Sequence, residues 1–203
     1  MKSKILFLIG LVLILPGLTS CRLTGLLVSE IDPGKFYRSG QLLLDTYKET
    51  LETYKIKTVI NLRGEAPGKK WFDEQFTTSE DMNIRYVSID MKLNQIPHRR
   101  TLLLLLDTLA TAEWPMLVLC DTGIERTGEV SALYQMLYMN KSREQALEML
   151  SKKYSYVDGK SDPSKKYFIS QLWQNTTWAE KDYDPCTQNY LYYDRNQSEC
   201  VDQ

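Results

Sequence analysis

The sequence predicts an α/β domain, a central and mainly parallel sheet of about four to five strands flanked by helices, followed by a short disulfide-stapled C-terminal tail. Short strand-like runs at 58–62, 84–89 and 116–119 alternate with longer stretches of helical spacing, the pattern of βαβ units. The first of these runs is β-branched and the last is continuous in apolar residues, as strands covered on both faces are. Finally, 203 residues with 43% hydrophobic and 25% charged content suffice for one domain with a real core. A formal charge of −1 leaves no electrostatic footprint for nucleic acid.

In chain order, Lys2 and Lys4 precede an apolar run from Ile5 to Leu15, and small residues lead from Gly17 to Cys21. This is the layout of a secretory signal, and the run is too short to span a bilayer. Leu18-Thr19-Ser20-Cys21 resembles the bacterial lipobox, which implies cleavage after residue 20 and lipid on the Cys21 sulfur. The mature chain is then expected to be exported and tethered to a membrane through that anchor, facing the periplasm or the cell exterior. Residues 21–34 read as a lipidated linker, 35–175 as the domain, and 176–203 as a tyrosine-rich tail.

Within the domain, Phe36–Gln41 reads as a short strand turning at Gly40. Apolar residues at 43, 44, 47, 51 and 54 fit an amphipathic helix. Thr58–Leu62 is a β-branched run closed by Arg63-Gly64, hence a buried strand. Trp71–Met82 reads as a second helix, and Ile84–Ile89 as a strand ending at Asp90. After a loop to Pro97 comes a third helix, whose Leu102–Leu106 run is too apolar for an exposed element. Met116–Leu119 is the last core strand, and the stretch to Met139 the helix after it. Ser142–Leu150 reads as a helix with Ser142 as N-cap and Gln145 completing a capping box. Pro163 suits the first turn of a last helix reaching about Asn175. From 176 onward no period is visible.

The chemistry concentrates in Met116–Gly128, MLVLCDTGIERTG: strand, tight loop, helix start, with a thiol at one end of the loop and a guanidinium at the other. Inward amides and the helix N-terminus suit such a loop to an oxyanion. The same field activates a thiol as nucleophile. Both Cys120 and Asp90 fall at strand carboxyl ends, where open α/β sheets place their ligands.

Cysteine, five residues, arginine and threonine resembles the active-site loop of protein tyrosine and dual-specificity phosphatases. With FYRSGQL at 36–42, TVINLRGE at 58–65 and ALYQM at 132–136 in the same order, residues about 35–150 resemble the compact bacterial and plant-type dual-specificity-like members. The resemblance implies a phosphomonoester hydrolase acting on a phosphorylated protein or a small phosphomonoester. Cys120 would carry a phosphocysteine, Arg126 would grip two phosphate oxygens, and Thr127 would ease departure of the sulfur. Asp121, Thr122, Gly123, Ile124, Glu125 and Arg126 would form the phosphate loop. No metal and no cofactor are required, since amides and arginine supply the electrostatics.

Three departures stand out. Leu119 replaces the histidine that usually precedes the cysteine. Asp121 and Glu125 put acids in the loop, which favours singly phosphorylated substrates over highly phosphorylated inositols. The general acid is displaced from the family's usual position near Leu93: Asp90 is the first candidate, with Glu125 as the runner-up.

Other signals have plainer readings. His98, the single histidine, reads as a solvated helix-start residue, and without a thiol cluster a zinc site is not expected. Arg38 and Arg63 read as structural partners of loop carbonyls or acids. Cys186 and Cys200 are expected to pair in an exported protein, contributing about 3 kcal/mol. Two rival functions remain open: a catalytically dead phosphoprotein-binding module, and an inositol- or lipid-phosphate phosphatase. A sulfurtransferase also uses a loop cysteine, but Arg126-Thr127-Gly128 fits it less well.

Overall fold

The computed structural model describes residues 28–196 and Cys200. The signal segment, Cys21 and the start of the linker lie outside them. Five strands form one sheet in the order β1-β2-β5-β3-β4: β1 (Val28–Asp32), β2 (Phe36–Ser39), β3 (Thr58–Asn61), β4 (Arg85–Ser88) and β5 (Met116–Leu119). Only the β1–β2 pair is antiparallel. The expected architecture is therefore the one observed.

The stretch 28–32, expected in the linker, forms strand β1 at the sheet edge. Its two apolar residues, Val28 and Ile31, give no readable period, and the ladder shifts register between Glu30 and Asp32. Tertiary bonds hold it instead: Tyr37 Oη donates to Glu30 and Tyr134 Oη to Asp32, each at 2.8 Å.

The central strands bury both faces. Phe36, Ile60, Met116 and Val118 point into one core, with α3 (Arg99–Thr111) and α4 (Glu125–Tyr138). Tyr37, Val59, Leu117 and Leu119 point into the other, with Tyr47 and Leu51 of α1 (Leu44–Thr53). This period-two alternation explains why β5 tolerates no polar residue; each of its leucines contributes about 1.5–3 kcal/mol by burial. α2 (Lys70–Asp81) lies on the α1 side, where Phe72 meets Tyr86 of β4. In α3 the leucine run is not wholly buried: Leu104 is 46% exposed, because five consecutive helical residues cannot share one face.

Helix α4 is buried along Thr127–Gln135. A Cβ on Gly128 would lie 2.5 Å from Leu150 Cδ2, so that glycine lets the next segment pack close. That segment is α5 (Arg143–Ala146), with the expected Ser142–Gln145 capping box, tightening into a 3₁₀ turn over Leu147–Leu150. α6 (Ser164–Tyr167) runs into a π-helical turn over Phe168–Leu172. The tail contains a helix that the sequence pattern does not reveal, α7 (Thr176–Lys181), too short to show a period and started by the Asn175 side chain accepting from Trp178 N. Cys186 and Cys200 form the expected disulfide. No helix among the described residues is long and apolar enough to cross a membrane.

Candidate active site

β5 lies between β2 and β3, and Cys120 follows its carboxyl end, almost completely buried. The loop curls back over the thiol: Gly123 N donates to Cys120 Sγ at 3.2 Å, and Thr127 Oγ1 lies 3.5 Å from the same sulfur. Gly123 has φ +75°, and a Cβ there would lie 2.5 Å from Gly40 N. The β2 end is the cradle for this loop, since Gln41 N also donates to Asp121 O at 2.9 Å. The FYRSGQL segment thus holds the loop by close backbone approach.

Arg126 begins the helix side of the site. Its Nη1 donates to Leu62 O at 3.2 Å and Met91 O at 3.4 Å, while its Nε is buried with no acceptor among the described residues. A buried guanidinium N–H with no protein partner is a donor suited to an oxyanion.

The loop acids radiate outward. Asp121 pairs with Arg63 at 3.3 Å. Glu125 accepts from Thr122 Oγ1 at 3.2 Å, and that hydroxyl in turn accepts from Ile124 N. Arg63 also donates to Gln41 Oε1 and stacks 3.7 Å above the Trp71 ring. Arg38 donates to Met149 O, Gly123 O and Ile124 O. Both arginines therefore have the structural partners expected of them.

Asp90 sits opposite, exposed, and paired with Lys92 at 2.6 Å. A Cβ on Gly64 would come 2.9 Å from Asp90 Cβ, so the glycine admits the aspartate to its place. The following loop is held at alternate carbonyls: Met91 O by Arg126, Leu93 O by Ser164, and Gln95 O by Lys165.

Lys165 was not singled out by the sequence. It and Glu129 are both wholly buried and face each other at 3.4 Å beneath α4. Burial pushes the Glu129 carboxyl up to about 7, against the pull of Lys165, and pulls the Lys165 ammonium down. The one available signal was an acid set between Gly128 and Val130 on an otherwise apolar helix.

His98 is a helix-start residue, but a buried one rather than solvated. Its Nδ1 accepts from Arg100 N as the N-cap of α3, and Nε2 lies 3.6 Å from Cys186 Sγ. The ligand atoms of His98, Cys186 and Cys200 lie within 4.8 Å of one another, yet the two sulfurs are bonded together and do not form a metal donor set.

Comparisons with known proteins place the fold. The fold matches the core catalytic domain of the inositol-pyrophosphate phosphatase Siw14 from S. cerevisiae, crystallised with citrate, at TM-score 0.60 and 19% identity over 75% of this chain and 88% of that one. It also matches TpbA of P. aeruginosa at TM-score 0.53 and 19% identity over 70% and 88%. A TpbA variant crystallised with phosphotyrosine gives TM-score 0.55 and 19% identity over 71% and 89%. No curated protein matches the sequence. A family model described as DSP-PTPase phosphatase fused to NAD+ kinase matches residues 25–171, so the chain belongs to that family of cysteine-dependent, dual-specificity-type phosphatase domains.

Proposed function

We propose that this protein hydrolyses single phosphomonoesters, phosphotyrosine among them, through a phosphocysteine on Cys120. The observation that carries the reading is the buried Cys120 sulfur under the Gly123 amide, in one loop with an Arg126 whose buried Nε has no acceptor among the described residues. In this reading the thiolate attacks phosphorus, the ester P–O bond breaks, and Asp90 protonates the leaving oxygen after parting from Lys92. Water, deprotonated by the same carboxylate, then attacks the phosphocysteine and the P–S bond breaks. Thr127 donates to the departing sulfur.

The rim favours a singly charged group. Arg63 is paired with Asp121 and Lys92 with Asp90, so neither rim cation is offered whole to a second phosphate. An inositol-phosphate substrate is the second reading, supported only by the fold shared with Siw14. We further infer that Cys21 carries lipid and anchors the exported chain, a reading that rests on the sequence LTSC.

The test is hydrolysis of p-nitrophenyl phosphate by the full chain in detergent, beside Cys120→Ser. Activity absent from the variant supports the reading; wild type no faster than the variant makes the protein a phosphate-binding module. Among acid candidates, Asp90→Asn should slow poor leaving groups more than good ones, and Glu125→Gln should not. For the anchor, Cys21→Ser should shift the protein from the membrane to the soluble fraction; unchanged membrane association removes the lipid reading.

A further inference from the structure

Arg38 is the largest of the fully buried side chains, at 2% exposure, and it lies behind the phosphate loop. Each acceptor of its guanidinium is a main-chain carbonyl: Met149 O at 2.9 Å, Gly123 O at 2.7 Å and Ile124 O at 3.1 Å. No carboxylate lies within ion-pair distance of it among the described residues. A buried cation without a counter-charge is costly by several kcal/mol, and carbonyl dipoles together with the Tyr154 ring, 4.6 Å away, offset only part of that cost.

Gly123 supplies the missing link. Its carbonyl accepts from Arg38 while its amide donates to Cys120 Sγ at 3.2 Å, so guanidinium, glycine and sulfur form one connected set. Leu119, the residue before the cysteine, carries no hydrogen-bonding side chain and points into the α1-side core. We propose that Arg38 is a positioning residue whose buried charge, acting across Gly123, holds Cys120 as a thiolate in place of the histidine this loop lacks. The inference rests on the Cys120 reading given above. Burial pulls the Arg38 guanidinium down to about 10, and the Cys120 sulfur is among the groups that push it back up. At neutral pH the guanidinium keeps its charge, and the proton lost by Cys120 goes to solvent.

The other charged groups around the sulfur are engaged elsewhere. From α4, Arg126 gives its Nη1 to Leu62 O and Met91 O, and its buried Nε is left without an acceptor among the described residues. Glu129 and Lys165 pair with each other below the helix, and Asp121 pairs with Arg63 at the rim.

The experiment is alkylation by iodoacetamide from pH 5 to 9, read on the Cys120 peptide by mass spectrometry, for the full chain, Arg38→Lys and Arg38→Gln. No turnover is needed, so a protein that alkylates as expected but hydrolyses no ester fails the proposed function alone. The charge role predicts that Arg38→Gln moves the midpoint up, with about tenfold slower alkylation at pH 6 and an unchanged plateau at pH 9. Arg38→Lys, which keeps charge but loses the fork, should stay close to wild type. An Arg38→Gln profile with the wild-type midpoint, slowed equally at every pH, overturns the proposal in favour of bracing alone. So does Arg38→Lys displaced as far as Arg38→Gln. If Arg38→Gln gives no cooperative melt, Arg38→Lys decides: a midpoint within about half a unit of wild type supports the charge role, and one equal to that of a free peptide cysteine overturns it.

Discussion

Glu129 and Lys165 face each other at 3.4 Å beneath the helix that carries Arg126, and neither side chain reaches solvent. Lys165 also donates to Gln95 O, so one ammonium joins that helix to the loop that follows Asp90. Removing either partner strands the other charge. Glu129→Leu or Lys165→Met alone should cost about 3–5 kcal/mol, read as the urea midpoint. The double variant should recover most of the loss, and a double variant as unstable as the sum of the singles removes the pair as the cause.

The same pair sets a pH dependence. The Glu129 carboxyl rises from 4.5 to about 7 on burial, so between these values the folded chain holds a proton that the unfolded chain has released. Its contribution to stability is full below 4.5 and is lost as pH rises through about 7. Glu129→Gln should flatten this part of the stability curve in melts across the window, while an unchanged slope assigns it to another group.

Gly123 and Gly34 both have positive φ, but only Gly123 has backbone where a Cβ would go. Gly34→Ala should cost about 1–2 kcal/mol of stability through φ alone and leave oxyanion binding intact. Gly123→Ala must push Gly40 away. Tungstate binding by calorimetry should be lost in that variant, and wild-type affinity would show that the loop tolerates the displacement.

Asp121→Asn releases Arg63 from its exposed ion pair. The ratio of kcat/KM for an inositol polyphosphate to that for p-nitrophenyl phosphate should rise, by no more than about fivefold, since surface pairs contribute up to about 1 kcal/mol. A falling ratio would show that Asp121 assists the larger substrate.

Removing the Cys186–Cys200 bond by Cys186→Ala and Cys200→Ala should lower stability by about 3 kcal/mol, the loop-closure contribution for a separation of 14 residues. Equal melts for variant and parent would leave the bond without a stabilising role.

What the sequence made legible was local. β5 announces itself because a strand buried on both faces is apolar throughout, β3 does so by its β-branched run Thr58-Val59-Ile60, and the loop from Cys120 to Gly128 packs a thiol, a guanidinium and a hydroxyl into one segment. β1 was illegible because an edge strand needs a partner more than a pattern. The Glu129–Lys165 pair was illegible because nothing in either neighbourhood points to the other. Arg38 lay between these cases: its pairing with carbonyls was foreseen, while its nearness to the sulfur depends on how Gly123 turns.

The loop after Asp90 owes its shape to residues translated long after it. Gln95 O waits for Lys165, Ile96 N for the carbonyl of Tyr192, and Pro97 O for the hydroxyl of Tyr183. The cradle of Cys120 is complete once Met149 has been made, because Arg38 finds its last acceptor there. Synthesis from N- to C-terminus therefore finishes the cradle of Cys120 first and the wall after Asp90 last. A nascent chain stopped before the tail would present that cradle with Ile96 and Pro97 of the wall still unheld, so Tyr183 and Tyr192 act as the keystone of the wall rather than as an appendix.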